Sequence, residues 1–172
     1  KHNRAGMGLG VERFDSFDAF VNRLDALAET PPVDGVTLLQ VYIDSPESFI
    51  TRCEFVGGKF VYALSVDTSE GFELCPADNC STSDHHDSSE TKIARFEIMS
   101  DYVDPIISRY EEFLHQNQID IAGIEFITDH AGCKWTYDVN VNTNYNAEVE
   151  LRAGVSARVR LAQYLKKELA RC

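Results

Sequence analysis

Apolar positions along this chain recur with two different periods. Phe17, Phe20, Val21, Leu24, Leu27 and Ala28 fall on one face of a helix,. Asp15 or Ser16 can cap its start, and Pro31-Pro32 stops it. Val36 to Ile43 is rich in apolar and β-branched residues and reads as a buried strand. Phe49 to Val56 and Phe60 to Val66 flank Gly57-Gly58-Lys59, which predicts a hairpin. Thr68 to Glu90 has no period; its polar clusters predict a long, mobile loop. Ile93 to Met99 reads as a strand. Tyr102, Ile106, Tyr110, Phe113 and Leu114 mark a second amphipathic helix. Ile121 to Thr128 and Cys133 to Val141 form a second hairpin around Asp129-His130-Ala131-Gly132. Val155, Val159, Ala162, Leu165 and Leu169 give a closing helix, with Ser156 near its start. Helices with mostly hairpin-connected strands predict an α+β domain over residues 1–172, with a mostly antiparallel sheet and flanking helices.

Composition narrows the function. The chain has 172 residues, enough for one domain with a real core, and 44% of them are hydrophobic,. Its formal net charge of -12 repels phosphate backbones and argues against nucleic acid as a partner,. No apolar run reaches the length of a membrane span. The five cysteines, Cys53, Cys75, Cys80, Cys133 and Cys172, are scattered as reduced thiols would be, which predicts a cytoplasmic protein. A homo-oligomer is compatible with all of this.

The second hairpin carries the sharpest chemical signal. Side chains alternate along a strand, so Thr136, Asp138, Asn140 and Asn142 share one face and Trp135, Tyr137, Val139 and Val141 the other. Asp and Asn are poor strand formers, yet they recur here at every second position. An exposed hairpin face is usually polar, but it more typically carries Thr, Lys or Glu. A two- or four-residue turn centred on His130 and Ala131 pairs Glu125 with Thr136 and makes Asp138 its diagonal neighbour, about 7–8 Å away. Glu125, Asp138 and the Asn140 amide then form an oxygen donor set suited to Mg2+. A three-residue turn would turn Glu125 toward Trp135 and Tyr137 and break the set.

Two other segments carry weaker signals. Lys1 to Gly10 joins Lys1 and Arg4 to a loop containing Gly6, Gly8 and Gly10, whose backbone N–H groups can approach phosphate oxygens,. It is equally a flexible turn. Leu38 to Asp44 can present backbone groups to a purine edge, or be a core strand. Arg52 is the better of two phosphate candidates, the other being Lys59. Cys75, Cys80, His85 and His86 suit zinc by type but lack the spacing of a standard finger.

Taken in order, these pieces resemble the ATP-grasp superfamily, most of all carboxylate–amine ligases similar to the ribosomal S6 glutamate ligases. The family's strand-ending lysine and glycine loop match Lys1, Gly6, Gly8 and Gly10. Its hinge matches Gln40, Val41, Tyr42 and Ile43, with Val41 where many members have glutamate. Its arginine after the hinge matches Arg52, and its metal ligands match Glu125, Asp138 and Asn140, with Asp138 where many members have Glu. The resemblance implies ATP and Mg2+ as cofactors and an acyl-phosphate route to a C–N bond. The substrates would be ATP with a small carboxylate and amine, or a peptide. It also implies a domain truncated at its N-terminus, with the substrate domain upstream. A non-catalytic, regulatory ATP-binding module on the same fold is the alternative.

Overall fold

A computed structural model describes residues 1–4, 10–69 and 96–171. The expected mobile loop over 68–90, apart from its first two residues, and the Cys75, Cys80, His85 and His86 set lie outside the described residues. The chain divides into two compact units, one built mainly from Lys1–Ile43 and the other mainly from Asp44 to the C-terminal helix.

In the first unit the single helix expected over Phe17 to Ala28 is two short ones, α1 (Phe17–Val21) and α2 (Leu24–Ala28), broken at Asn22-Arg23. The Ser16 hydroxyl caps α1 by accepting from the Ala19 N–H at 3.1 Å. The strand expected over Val36 to Ile43 is mostly irregular. At its start Leu38 N–H donates to Lys1 O at 2.8 Å and Asn3 N–H to Val36 O at 3.0 Å. A strand is made by its ladder, not by its composition, and beyond Leu38 the side chains of Leu39, Val41 and Tyr42 are exposed.

The second unit is a five-stranded antiparallel sheet. Its strands are β1 (Phe49–Val56), β2 (Lys59–Asp67), β3 (Phe96–Ile98), β4 (Ile121–Thr128) and β5 (Lys134–Asn140), in the order β3-β2-β1-β4-β5. Helix α3 (Pro105–Gln116) starts as its sequence dictates, with Pro105 in the first turn and the Asp104 carboxylate accepting from Ile106 N–H at 2.9 Å,. Its residues Ile106, Tyr110 and Leu114, one turn apart, pack on Cys53, Phe55, Ala63, Ala122, Ile124 and Phe126. These sheet residues share one face, since Cys53 opposes both Ala63 and Ile124, and Phe55 opposes Ala122. That face is the apolar core.

Two further helices, α4 (Ala147–Ala153) and α5 (Ala157–Leu169), close the chain. Gly154 between them takes a left-handed conformation at φ 67°, which glycine adopts without strain,. The expected closing helix is α5, capped by Ser156; its Val159, Leu165 and Leu169 are exposed, and it buries Ala157 and sets Tyr164 against the β1–β2 turn at Gly57. No helix among the described residues is long and apolar enough to cross a membrane.

Candidate functional site

The site lies on the other face of the sheet, and its register is built from two irregularities that cancel. The β4–β5 turn has three residues between the pair Asp129 and Cys133, whose backbones bond at 3.0 Å. Gly132 supplies the left-handed residue, at φ 78°, that such a loop needs,. The Asp129 carboxylate fixes it, accepting from Ala131 N–H and Cys133 N–H, each at 2.8 Å, and from Trp135 Nε1 at 2.8 Å. A three-residue loop pairs Trp135 with Ile127 and Thr136 with Phe126. Thr136 therefore turns to the core face, where its hydroxyl meets that of Tyr110 at 2.6 Å. This corrects the expected two- or four-residue turn and the expected placement of Thr136 and Trp135.

Continued unbroken, that register would carry Asp138 to the apolar face. It is broken by a β-bulge between Glu125 and Phe126, in which Tyr137 is the extra residue on β5,. Beyond the bulge Glu125 stands directly opposite Asp138, and Gly123 opposite Asn140. The three predicted ligands share one face after all, with Asp138 as the direct neighbour of Glu125 instead of its diagonal one. Tyr137, expected on the opposite face, donates its hydroxyl to Glu125 Oε2 at 3.0 Å. Burial and the adjacent Glu125 charge push its pKa well up, so it remains a donor.

Arg52 stands opposite Glu125 on the other side, in β1. It is 4% exposed, and its three nitrogens are all engaged. Nε donates to Glu54 Oε1 at 2.6 Å, Nη1 to Glu125 Oε1 at 2.7 Å and Nη2 to Thr143 Oγ1 at 2.5 Å. Burial opposes the cation, but Glu54 and Glu125 outweigh it and hold Arg52 charged. The guanidinium expected to reach a phosphate is thus an internal counter-ion. Gly123 makes room for it, since a Cβ there would stand 2.5 Å from Nη2.

Sequence reasoning missed the layer behind this row. Thr143 donates its hydroxyl to Glu54, 2.9 and 2.8 Å from the two carboxylate oxygens. Burial pushes the Glu54 carboxyl up despite the opposing pull of Arg52 and Thr143. Tyr62, opposite Glu54 in the ladder, donates to Glu150 at 2.9 Å, and Glu150 accepts the Ala157 N–H at the start of α5 at 2.7 Å. The buried Tyr145 hydroxyl has no hydrogen-bond partner among the described residues. Burial and the charges of Glu54 and Glu150 raise its pKa to about 12. The alternation Arg52-Cys53-Glu54 was the available signal: two charges on one parity of an otherwise apolar strand.

Among the described residues no three His, Cys, Asp or Glu side chains are gathered to hold a metal. The row offers two carboxylates and one amide. That set fits Mg2+, which takes hard oxygen ligands and is usually held by one or two carboxylates, with waters and phosphates completing its shell. The charge also fits, because the one positive charge of Arg52 is divided between Glu54 and Glu125, and Asp138 adds a further carboxylate beside Glu125.

The remaining predicted residues belong to the first unit. The Lys1 amino terminus donates to Leu38 O at 2.9 Å. Gly10 has φ 71° and lies against the His2 ring, while Gly6 and Gly8 lie outside the described residues. Gln40, Val41 and Tyr42 are exposed and Ile43 is half-buried. The Arg13 guanidinium stacks 4.1 Å from the centre of the Tyr42 ring.

No protein-family model matches the chain, and no curated protein matches it. Solved structures do. The ATP-grasp ligase PsnB complexed with a minimal precursor aligns with a TM-score of 0.57 at 13% identity, over 93% of this chain and 45% of PsnB. PsnB complexed with a precursor peptide and AMPPNP aligns with a TM-score of 0.52 at 13% identity, over 92% and 42%. The chain thus has the fold of the ATP-grasp ligases. It spans under half the length of PsnB, the particular ligase in both of these alignments.

Proposed function

We propose that this chain is the magnesium- and ATP-binding part of an ATP-dependent carboxylate–amine ligase, of the kind the ribosomal S6 glutamate ligases exemplify. The observation that carries the reading is the row Arg52–Glu125–Asp138, with Asn140 next along the same face, on a fold shared with ATP-grasp ligases. The AMPPNP and precursor peptide bound to PsnB support a nucleotide and a peptide or small carboxylate as the ligands here.

Glu125, Asp138 and Asn140 would hold Mg2+, and bound Mg2+ supplies neutralisation of phosphate charge. The chain's own residues do the rest. Arg52 and Tyr137 hold the Glu125 carboxylate from two sides and fix the direction of its remaining lone pairs. The bulge sets Asp138 opposite it. A carboxylate oxygen of the substrate attacks the γ-phosphorus of ATP, breaking its bond to the bridging oxygen and releasing ADP. The acyl phosphate then reacts with an amine. Its nitrogen attacks the carbonyl carbon, phosphate departs, the nitrogen loses a proton and an amide forms. No protein nucleophile is needed, so positioning and electrostatics supply the rate.

Calorimetry of Mg·ATP binding to the purified protein and to Asp138→Ala tests the assignment. Loss of magnesium-dependent binding is expected, with about 0.5 kcal/mol or less of stability lost. An Asp138→Ala protein that binds Mg·ATP as the wild type does would overturn it. ATP-dependent phosphate release with candidate acids and amines then separates a ligase from a regulatory module.

A further inference from the structure

We propose that Glu54 is a positioning residue for the metal-binding row, taking up the charge of Arg52 so that Glu125 stays available to a divalent cation. The inference rests on the magnesium reading given above.

Glu54 is 1% exposed, and a carboxylate at that depth is costly unless it is paired. Its partners form a closed triangle. Arg52 Nε donates to Glu54 Oε1 at 2.6 Å, the Thr143 hydroxyl donates to Glu54, and Arg52 Nη2 donates to Thr143 Oγ1 at 2.5 Å. A hydroxyl has one proton and two lone pairs. Thr143 gives that proton to Glu54 and therefore must accept from Arg52, which leaves no slack in the triangle.

The triangle has two effects on the site. The first is electrostatic. Only the Nη1 corner of the guanidinium reaches Glu125, at 2.7 Å. With Glu54 ionised, the guanidinium is already paired on its other edge, and Glu125 keeps most of its negative charge for a metal. With a neutral side chain at 54, the whole cationic charge falls on Glu125 and competes with any other cation there. The second effect is mechanical. Thr143 lies three residues after Asn140, so its bonds to Glu54 and Arg52 tie the exit of β5 to the central strand β1. Asn140 itself is braced on that exit, where its Oδ1 accepts the Asn142 N–H at 2.8 Å. Glu54 thus acts on two of the three ligands, on Glu125 through Arg52 and on Asn140 through Thr143. It stands in neither case as a ligand.

The test separates metal affinity from nucleotide affinity. Mn2+, visible by electron paramagnetic resonance, is titrated into the purified protein at fixed AMPPNP, and AMPPNP is titrated separately at saturating Mn2+. Glu54→Gln is expected to raise the half-saturating Mn2+ concentration about tenfold or more, as loss of an outer-shell partner does. AMPPNP affinity at saturating Mn2+ is expected to stay close to the wild-type value. Glu54→Asp keeps the charge and is expected to restore most of the Mn2+ affinity, whereas Thr143→Val, which opens the triangle, is expected to weaken it. A folded Glu54→Gln protein with wild-type Mn2+ affinity would overturn the proposal. So would equal weakening of both ligands without recovery in Glu54→Asp. If Glu54→Gln does not fold, the other pair decides: Glu54→Asp must bind Mn2+ better than Thr143→Val, and the reverse order overturns the proposal. A wild-type protein that takes up no Mn2+ overturns the magnesium reading itself, whereas wild-type uptake with an indifferent Glu54→Gln overturns the role of Glu54 alone.

Discussion

The two faces of the five-stranded sheet are both buried at its centre, and they are buried by opposite chemistry. Toward α3, β1 presents Cys53 and Phe55 to Ile106, Tyr110 and Leu114. On the other side the same strand presents Arg52 and Glu54 to Glu125 and Thr143. The apolar face is non-directional: its worth scales with the area removed from water, and its residues need only fit. The polar face is directional. Each of its groups needs a partner at the right distance, and removing one partner strands a buried charge. The first face supplies stability, and the second fixes the geometry of its polar groups.

Mutations on each face sharpen that division. Leu114 is fully buried against the sheet, so Leu114→Ala is expected to cost about 2–5 kcal/mol in urea unfolding. Mn2+ affinity of the folded fraction should be unchanged. A shift in metal affinity would mean that the faces are coupled. Gly123→Ala comes next. A Cβ placed 2.5 Å from Arg52 Nη2, on a guanidinium engaged at all three nitrogens, is expected to cost about 1–3 kcal/mol and to weaken Mn2+ binding as well. A Gly123→Ala protein matching the wild type in both would show that Arg52 yields freely.

The smallest expected effect lies at the rim. Burial tends to raise the Asp104 carboxyl, but Lys134, the Ile106 N–H and the Tyr102 hydroxyl together hold it below its ordinary value. A lowered folded-state pKa gives stability that is present above the unfolded value near pH 4 and lost as pH falls through the folded value. Asp104→Asn keeps the helix cap and loses the charge. It should cost about 1 kcal/mol or less at pH 7 and flatten the acid limb of a pH–stability curve. An unchanged acid limb would assign that limb to other carboxylates.

Much of this architecture was legible in the chain. Both hairpins, helix α3 and the α+β class follow from periodicity, because period-2 and period-3.6 patterns bury different faces. The polar parity of β5 was legible as well, and it led to Glu125, Asp138 and Asn140. The route to that grouping was not. Asp129 can close two-, three- or four-residue turns, and nothing in Tyr137 announces that it will bulge, so the register had to come from tertiary pairing. Arg52 was visible as a cation, but the partners that commit it, Glu54 and Thr143, are 2 and 91 residues away in sequence. The apolar run from Val36 misled because a strand depends on a neighbour, and the pairing with Lys1 to Asn3 is too short to make one.

The three-residue turn and the bulge at Tyr137 are each a shift of one residue, and at fixed chain length each alone would carry Asp138 to the wrong side of the sheet. In genetic terms the two are mutual suppressors of conformation, not of length. Loss of Tyr137 alone should leave Thr136 opposite Phe126 and Asp138 opposite Glu125, with no bulge between them. A change that straightens the bulge and keeps every residue should instead turn Asp138 to the apolar face. The hairpin therefore tolerates a deletion at the bulge better than a change of backbone conformation there.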